Sequence, residues 1–118
     1  MSFQALSTCI GRLSASIREN STDATERAKA VRAVQVSEFD EWYFDFNALC
    51  ESRSDDVFSL LNDEAIELVD GILEVINMSS EDASAQQLTE LNRNLSRIKQ
   101  NFLSRAKAHI QSARLGLK

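Results

Sequence analysis

Proline is absent from this chain, and in 118 residues glycine occurs only at Gly11, Gly71 and Gly116. Those two residue types supply tight β-hairpin turns and punctuate strand ends. A chain so poor in both has little means of reversing direction abruptly. It is expected to fold as helices joined by Ser, Asn and Asp turns. The 43% apolar and 26% charged content argues against disorder, and the length fits a single helical domain over residues 1–118.

Apolar periodicity supports the helical reading. Phe3, Leu6, Ile10, Leu13 and Ile17 alternate spacings of three and four, which places them on one helical stripe. Asn20 to Asp23 then reads as a break. Asp23 followed by Glu26, or Thr22, is expected to cap a second helix through Ala24, Ala28, Val31 and Val34. Ser37 with Asp40 repeats that capping pattern and predicts a restart or kink.

Next comes SEFDEWYFDF, residues 37–46, with the single Trp, the single Tyr and three of the six Phe. Trp42, Phe44 and Phe46 alternate as a strand would, and aromatics favour strands. Phe39, Trp42, Phe46 and Leu49 equally follow a helical spacing, and no second strand is visible to pair with. Helix is therefore expected, with Phe39, Trp42 and Phe46 inward. Tyr43 and Phe44 then lie off that stripe, Phe44 among the acids.

ESRSDD, residues 51–56, reads as a turn in which Ser54 caps a helix and Asp55 and Asp56 favour its first turn. Phe58, Leu61, Ala65, Leu68, Ile72 and Val75 continue that helix. NMSSEDAS, residues 77–84, is the clearest loop, with Ser79 and Asp82 as the expected cap of the last helix. There a stripe runs through Leu88, Leu91, Leu95, Ile98, Phe102, Ala106 and Ile110. About 35 residues of helix span roughly 52 Å. A compact chain of this size has a radius of gyration of about 13–14 Å. The expected fold is thus all-α: an elongated antiparallel bundle of four to five helices, the longest last, with a second copy covering what overhangs.

The net charge of −5 conceals a division along the chain: residues 1–36 carry +2, residues 37–85 carry −13 and residues 86–118 carry +6. Even full pairing of the last segment with the middle one leaves acids unpaired, so a negative face is expected. Such a face repels nucleic acid and membranes and speeds encounter with a basic partner. Arg93, Arg97, Arg105 and Arg114 on one side of the last helix would be the alternative phosphate-facing surface. The acidic chain as a whole speaks against nucleic-acid binding.

Chemistry finds little purchase. The single His109 follows Arg105 too closely for the Arg-to-His spacing of a helical ribonuclease motif. A di-iron bundle needs Glu-x-x-His on two helices, and none is present. Cys9 and Cys50 form no Cys-x-x-Cys, and no Gly-rich phosphate loop occurs. No enzyme activity, cofactor or metal is expected. MSFQALSTCIGR lacks a basic n-region and a long apolar run, no segment reads as a membrane span, and the two cysteines make no disulfide framework. A cytoplasmic location with reduced thiols follows as the expectation.

The expected function is that of a small, acidic, non-enzymatic protein-binding module, in the manner of inhibitors, immunity proteins and secretion chaperones. It would capture a basic protein through Glu38, Asp40, Glu41, Trp42, Tyr43, Phe44 and Asp45. The alternative is a structural or regulatory homodimer whose seam is Leu95, Ile98, Phe102, Ala106, His109 and Ile110 on the last helix.

Overall fold

The computed structural model describes residues 3–53 and 56–116, with side chains placed through residue 113. The chain forms α1 (Phe3–Glu19), α2 (Ala24–Val34), a π-helical turn (Gln35–Phe39), α3 (Asp40–Glu51), α4 (Asp56–Ser79) and α5 (Ala85–Gly116). Because α2, the π turn and α3 run on without a break, the bundle has four rods. Arg12 meets Glu38 and Phe3 meets Phe46, so the first two rods are antiparallel. Gly71 faces Ile98 while Glu64 faces His109, which makes α4 and α5 antiparallel too. The second rod and α5 each pack on both α1 and α4, so these two lie on opposite corners.

The bundle measures 54 × 24 × 19 Å with a radius of gyration of 15.6 Å, longer and thinner than a compact chain of this size. The 32 residues of α5 need about 48 Å, and the register that sets Gly71 by Ile98 and Glu64 by His109 lays the antiparallel α4 beside most of that length. The expected need for a second copy to cover it disappears.

Helix starts follow the chemistry of their first turns. Asp23 accepts hydrogen bonds from the backbone N–H groups of Thr25 (3.0 Å) and Glu26 (3.1 Å), as its spacing predicts. At α5 the cap falls later than expected. Ser84 and Gln87 exchange reciprocal bonds, the Ser84 N–H donating to Gln87 Oε1 (2.7 Å) and the Gln87 N–H to Ser84 Oγ (3.2 Å). Ser79 instead closes α4, buried, with its hydroxyl donating to the Ile76 carbonyl. Ser37 caps nothing: its hydroxyl donates back to the Ala33 carbonyl at 2.7 Å, inside a continuous rod. Ser54 and Asp55, the expected start of α4, lie outside the described residues.

The π turn has a legible cause. The buried positions along the second rod are Val31, Val34, Phe39, Trp42, Phe46 and Cys50. Every step is three or four residues except Val34 to Phe39, which is five. An α-helix would carry Phe39 off the core face, whereas one wider turn absorbs the extra residue and returns it. The five-residue step coincides with the turn at Gln35–Phe39.

One contiguous core follows from these stripes. Its centre is aromatic: Trp42 stacks on Phe46 with centroids 5.0 Å apart, and Phe102 of α5 meets both rings edge-on at 5.9 Å. Phe3 closes the cluster from α1. A charged residue also belongs to the interior. Arg27 is 1% exposed, and its guanidinium donates to the carbonyls of Ser79 (2.6 Å), Glu81 (2.6 Å), Asn20 (3.1 Å) and Ser21 (3.2 Å). These acceptors belong to the α1–α2 turn and to the end of α4 and its loop. One side chain therefore joins two connections at the same end of the bundle and satisfies carbonyls that helix ends leave unpaired.

Candidate functional site

The acidic and aromatic residues of 37–46 divide between two sides of one rod. Trp42 is 5% exposed and belongs to the aromatic core, so the expected partner-binding role is corrected for this residue. Tyr43 is half-buried and packs against the core. Glu38 is half-buried and pairs with Arg12 of α1 at 3.1 Å, which engages it within the fold rather than leaving it for a partner. The helical phase explains all three, because each lies on or beside the stripe that the π turn restores.

The opposite side is different. Phe44 is 73% exposed, the largest exposure among the bulky apolar side chains described. Asp40 and Glu41 lie one turn before it and Asp45 follows it directly; all three are exposed and take part in no ion pair among the described residues. Two residues that sequence reasoning missed join this face. Val36 is 56% exposed and stands eight residues before Phe44, about 12 Å along the rod. Ala48, also exposed, follows Phe44 by one turn. Val36, Asp40, Phe44 and Ala48 thus form a row with an acid between its two large apolar side chains. The signal was present in the sequence, since Val36 lies two residues from buried Val34 and so faces away from it. It was legible only once the five-residue step had been recognised.

On the acidic α4, Asp63, Asp70 and Glu74 are likewise exposed and free of ion pairs among the described residues. Glu64 and Glu67 pair with Arg105 at 3.3 and 2.9 Å. Their hydrogen bonds and charges hold the Arg105 guanidinium above its ordinary pKa, the Glu64 hydrogen bond contributing most. The expected row of bases on α5 is therefore partly engaged. Arg93 pairs with Glu90, Arg97 donates to Asn94, and the side chain of Arg114 lies outside the described residues.

The expected dimer seam is corrected as well. Leu95, Phe102 and Ala106 are buried within the chain's own bundle, and Ile110 packs partly against the same core. Ile98 faces Gly71 of α4, and His109 Nε2 stands 3.3 Å from Glu64 Oε1. The α5 stripe is covered by α1 and α4, and such a stripe looks the same in sequence whether its cover comes from the same chain or another.

Other chemistry is sparse. Cys9 and Cys50 are buried free thiols. Burial raises the pKa of Cys9 to about 12, with the Glu38 carboxylate adding to the effect, and burial raises that of Cys50. A thiol held in this way is a poor nucleophile at neutral pH. Among the described residues no group of three or more His, Cys, Asp or Glu side chains is placed to hold a metal ion, and no helix is long and apolar enough to cross a membrane. Comparison with family models, curated proteins and solved structures finds no match to this chain.

Proposed function

We propose that this protein is a non-enzymatic binding module that captures a basic protein segment on the outward face of its second rod. The observation that carries the reading is Phe44. A phenylalanine exposed to 73% forgoes the burial that normally holds aromatics inside, worth about 1.5–3 kcal/mol for a side chain of this size. Here it stands among three carboxylates without cationic partners among the described residues, on a rod anchored from behind by the aromatic core. Rigid support and an exposed aromatic suit a binding hot spot, and the acids suit long-range attraction of a cation-bearing partner. The matching segment is one that offers an apolar pocket or side chain flanked by Lys or Arg. Inhibitors, immunity proteins and secretion chaperones act in this way, and the cytoplasm is the compartment in which such a module with reduced thiols would work.

The test is affinity capture from the source cells at low salt, repeated with Phe44→Ala and with the double charge reversal Asp40→Lys/Glu41→Lys. A partner bound through this face is lost from both variants. Phe44→Ala is expected to weaken binding by about 2 kcal/mol, and the interaction of the unaltered protein should fall steeply with added salt. A captured protein that survives both substitutions rejects the reading.

A further inference from the structure

We infer that a second copy of this chain docks on the face between α4 and α5, related to the first by a two-fold axis running along the groove between these helices. The groove encloses about 330 Å³. Its floor is narrow because Gly71 lets Ile98 approach: a Cβ at position 71 would stand 3.0 Å from Ile98 Cδ1. Met78, 49% exposed, lies at one end. The rims carry opposite charge. Glu67 and Glu74 stand on the α4 side, and Arg97 and Arg105 on the α5 side.

The order of these charges along the groove selects the occupant. Gly71 stands level with Ile98, and Glu67 with Arg105. In antiparallel helices Glu74 is then level with the α5 turn that holds Arg97. Within one chain Glu74 makes no ion pair among the described residues, and Arg97 donates to Asn94 instead. A two-fold axis along the groove keeps every residue at its height and exchanges the two sides. It lays α4 of one copy over α5 of the other, antiparallel. Glu74 of each copy then meets Arg97 of the other, while Glu67 and Arg105 stay paired within each chain and Ile98 and Met78 of both copies fill the space between. An axis across the groove would set α4 on α4 and acid on acid, which repulsion disfavours. The face is thus complementary to itself in one orientation. A homodimer interface requires that property, since the same patch serves both subunits.

This dimer does not use the stripe of α5 that the bundle already covers, and it does not depend on the proposed capture of a basic segment. The second rod lies diagonally opposite α5, so Phe44 stays exposed in both copies.

Sedimentation equilibrium of the full chain from about 10 µM to about 1 mM covers the range of a modest interface. A concentration-dependent dimer is expected, weakened about a hundredfold in either Glu74→Arg or Arg97→Glu, since each places like charges together twice per dimer. Melting curves establish that each variant is folded. The decisive arm mixes the two variants in equal amounts. In the mixed pair the introduced arginine of one chain meets the introduced glutamate of the other. The native Glu74 and Arg97 that remain, one on each chain, meet as they do in the unaltered dimer. Dimerisation is therefore restored although each chain keeps its own altered residue. Should the protein be monomeric throughout the range, the proposal fails. It fails equally if dimers form but ignore both substitutions, which would mean another seam, or if the mixture does no better than its components. Phe44→Ala should leave the dimer unchanged, so loss of partner capture and loss of self-association are separately readable.

Discussion

Arg27 departs furthest from what its residue type predicts. On α2 it takes a position that in a plain amphipathic pattern belongs to an apolar residue, and the expected stripe of Ala24, Ala28, Val31 and Val34 passed over it. Its burial is sustained by four carbonyl acceptors, with no carboxylate within ion-pair distance among the described residues. Helix ends supply partial negative charge where a counter-ion would otherwise be needed. Arg27→Met is expected to cost about 3 kcal/mol, because it strands the carbonyls that the guanidinium serves. Arg27→Lys should recover little, since an ammonium cannot span both loops as a planar fork does. Urea denaturation of the three proteins checks both statements, and an unchanged midpoint for Arg27→Met would refute the role. Cys9 gives a second prediction. Its pKa rises in the folded state from 9.0 to about 12, so the stability linked to the protonated thiol is fully present below pH 9. It is lost as pH climbs from there toward 12, where the unfolded chain ionises first. The stability of the unaltered protein should therefore fall over this window more steeply than that of Cys9→Ala. Iodoacetamide at pH 8 should label Cys9 in urea and spare it in the native protein.

Among the elements, the second rod depends on the single wide turn at Gln35–Phe39. With that turn the stripe continues from Val34 to Phe39, and without it the aromatic segment would rotate away from the core. The expected break at Ser37 was half legible. The capping pattern marked the right place, but the core spacing called for continuity, and burial of three aromatics outweighs a cap worth about 1 kcal/mol. Deleting Ser37 is expected to convert the turn to ordinary α-helix while keeping Phe39, Trp42 and Phe46 in phase, since Val34 to Phe39 becomes a four-residue step. That variant should melt cooperatively within a few degrees of the parent, on the order of a 1 kcal/mol change. Deleting Asp45 instead shifts Phe46 and Cys50 relative to Trp42 and should abolish the cooperative transition. Circular dichroism melts distinguish the two, and equal damage from both deletions would contradict the phase account.

For the molecule as a whole, elongation and charge separation act together. At 54 × 24 × 19 Å the bundle is thin enough that every rod keeps a broad solvent-facing side. The excess of acids in residues 37–85 is spread over two of those sides rather than neutralised. One part flanks Phe44 on α3, and the other forms the α4 rim of the groove opposite the α5 bases. In the first, Asp40, Glu41 and Asp45 make no ion pair among the described residues, which suits a foreign basic segment. The second carries its own complement and suits a copy of itself. A dimer joined at the groove would present two Phe44 faces outward, so a partner with two basic segments would bind with an avidity that single-site measurements understate.

Helix content, the order of the stripes and the net negative charge were determined by local sequence: the absence of proline, the 3–4 spacing and the tally of acids. These quantities depend on neighbours a few residues apart, which periodicity reads directly. Tertiary structure decided which amphipathic stripe is covered by the chain itself. It buried the α5 seam, took Trp42 into the core, drew Glu38 to Arg12 and sent Arg27 to two distant loops. Each of those outcomes joins residues far apart in the chain, and a stripe or a charge carries no mark of which distant surface will meet it. SEFDEWYFDF shows both limits in ten residues. Its helical phase follows from spacing, and the exposure of Phe44 was decided only when the rods behind it were in place.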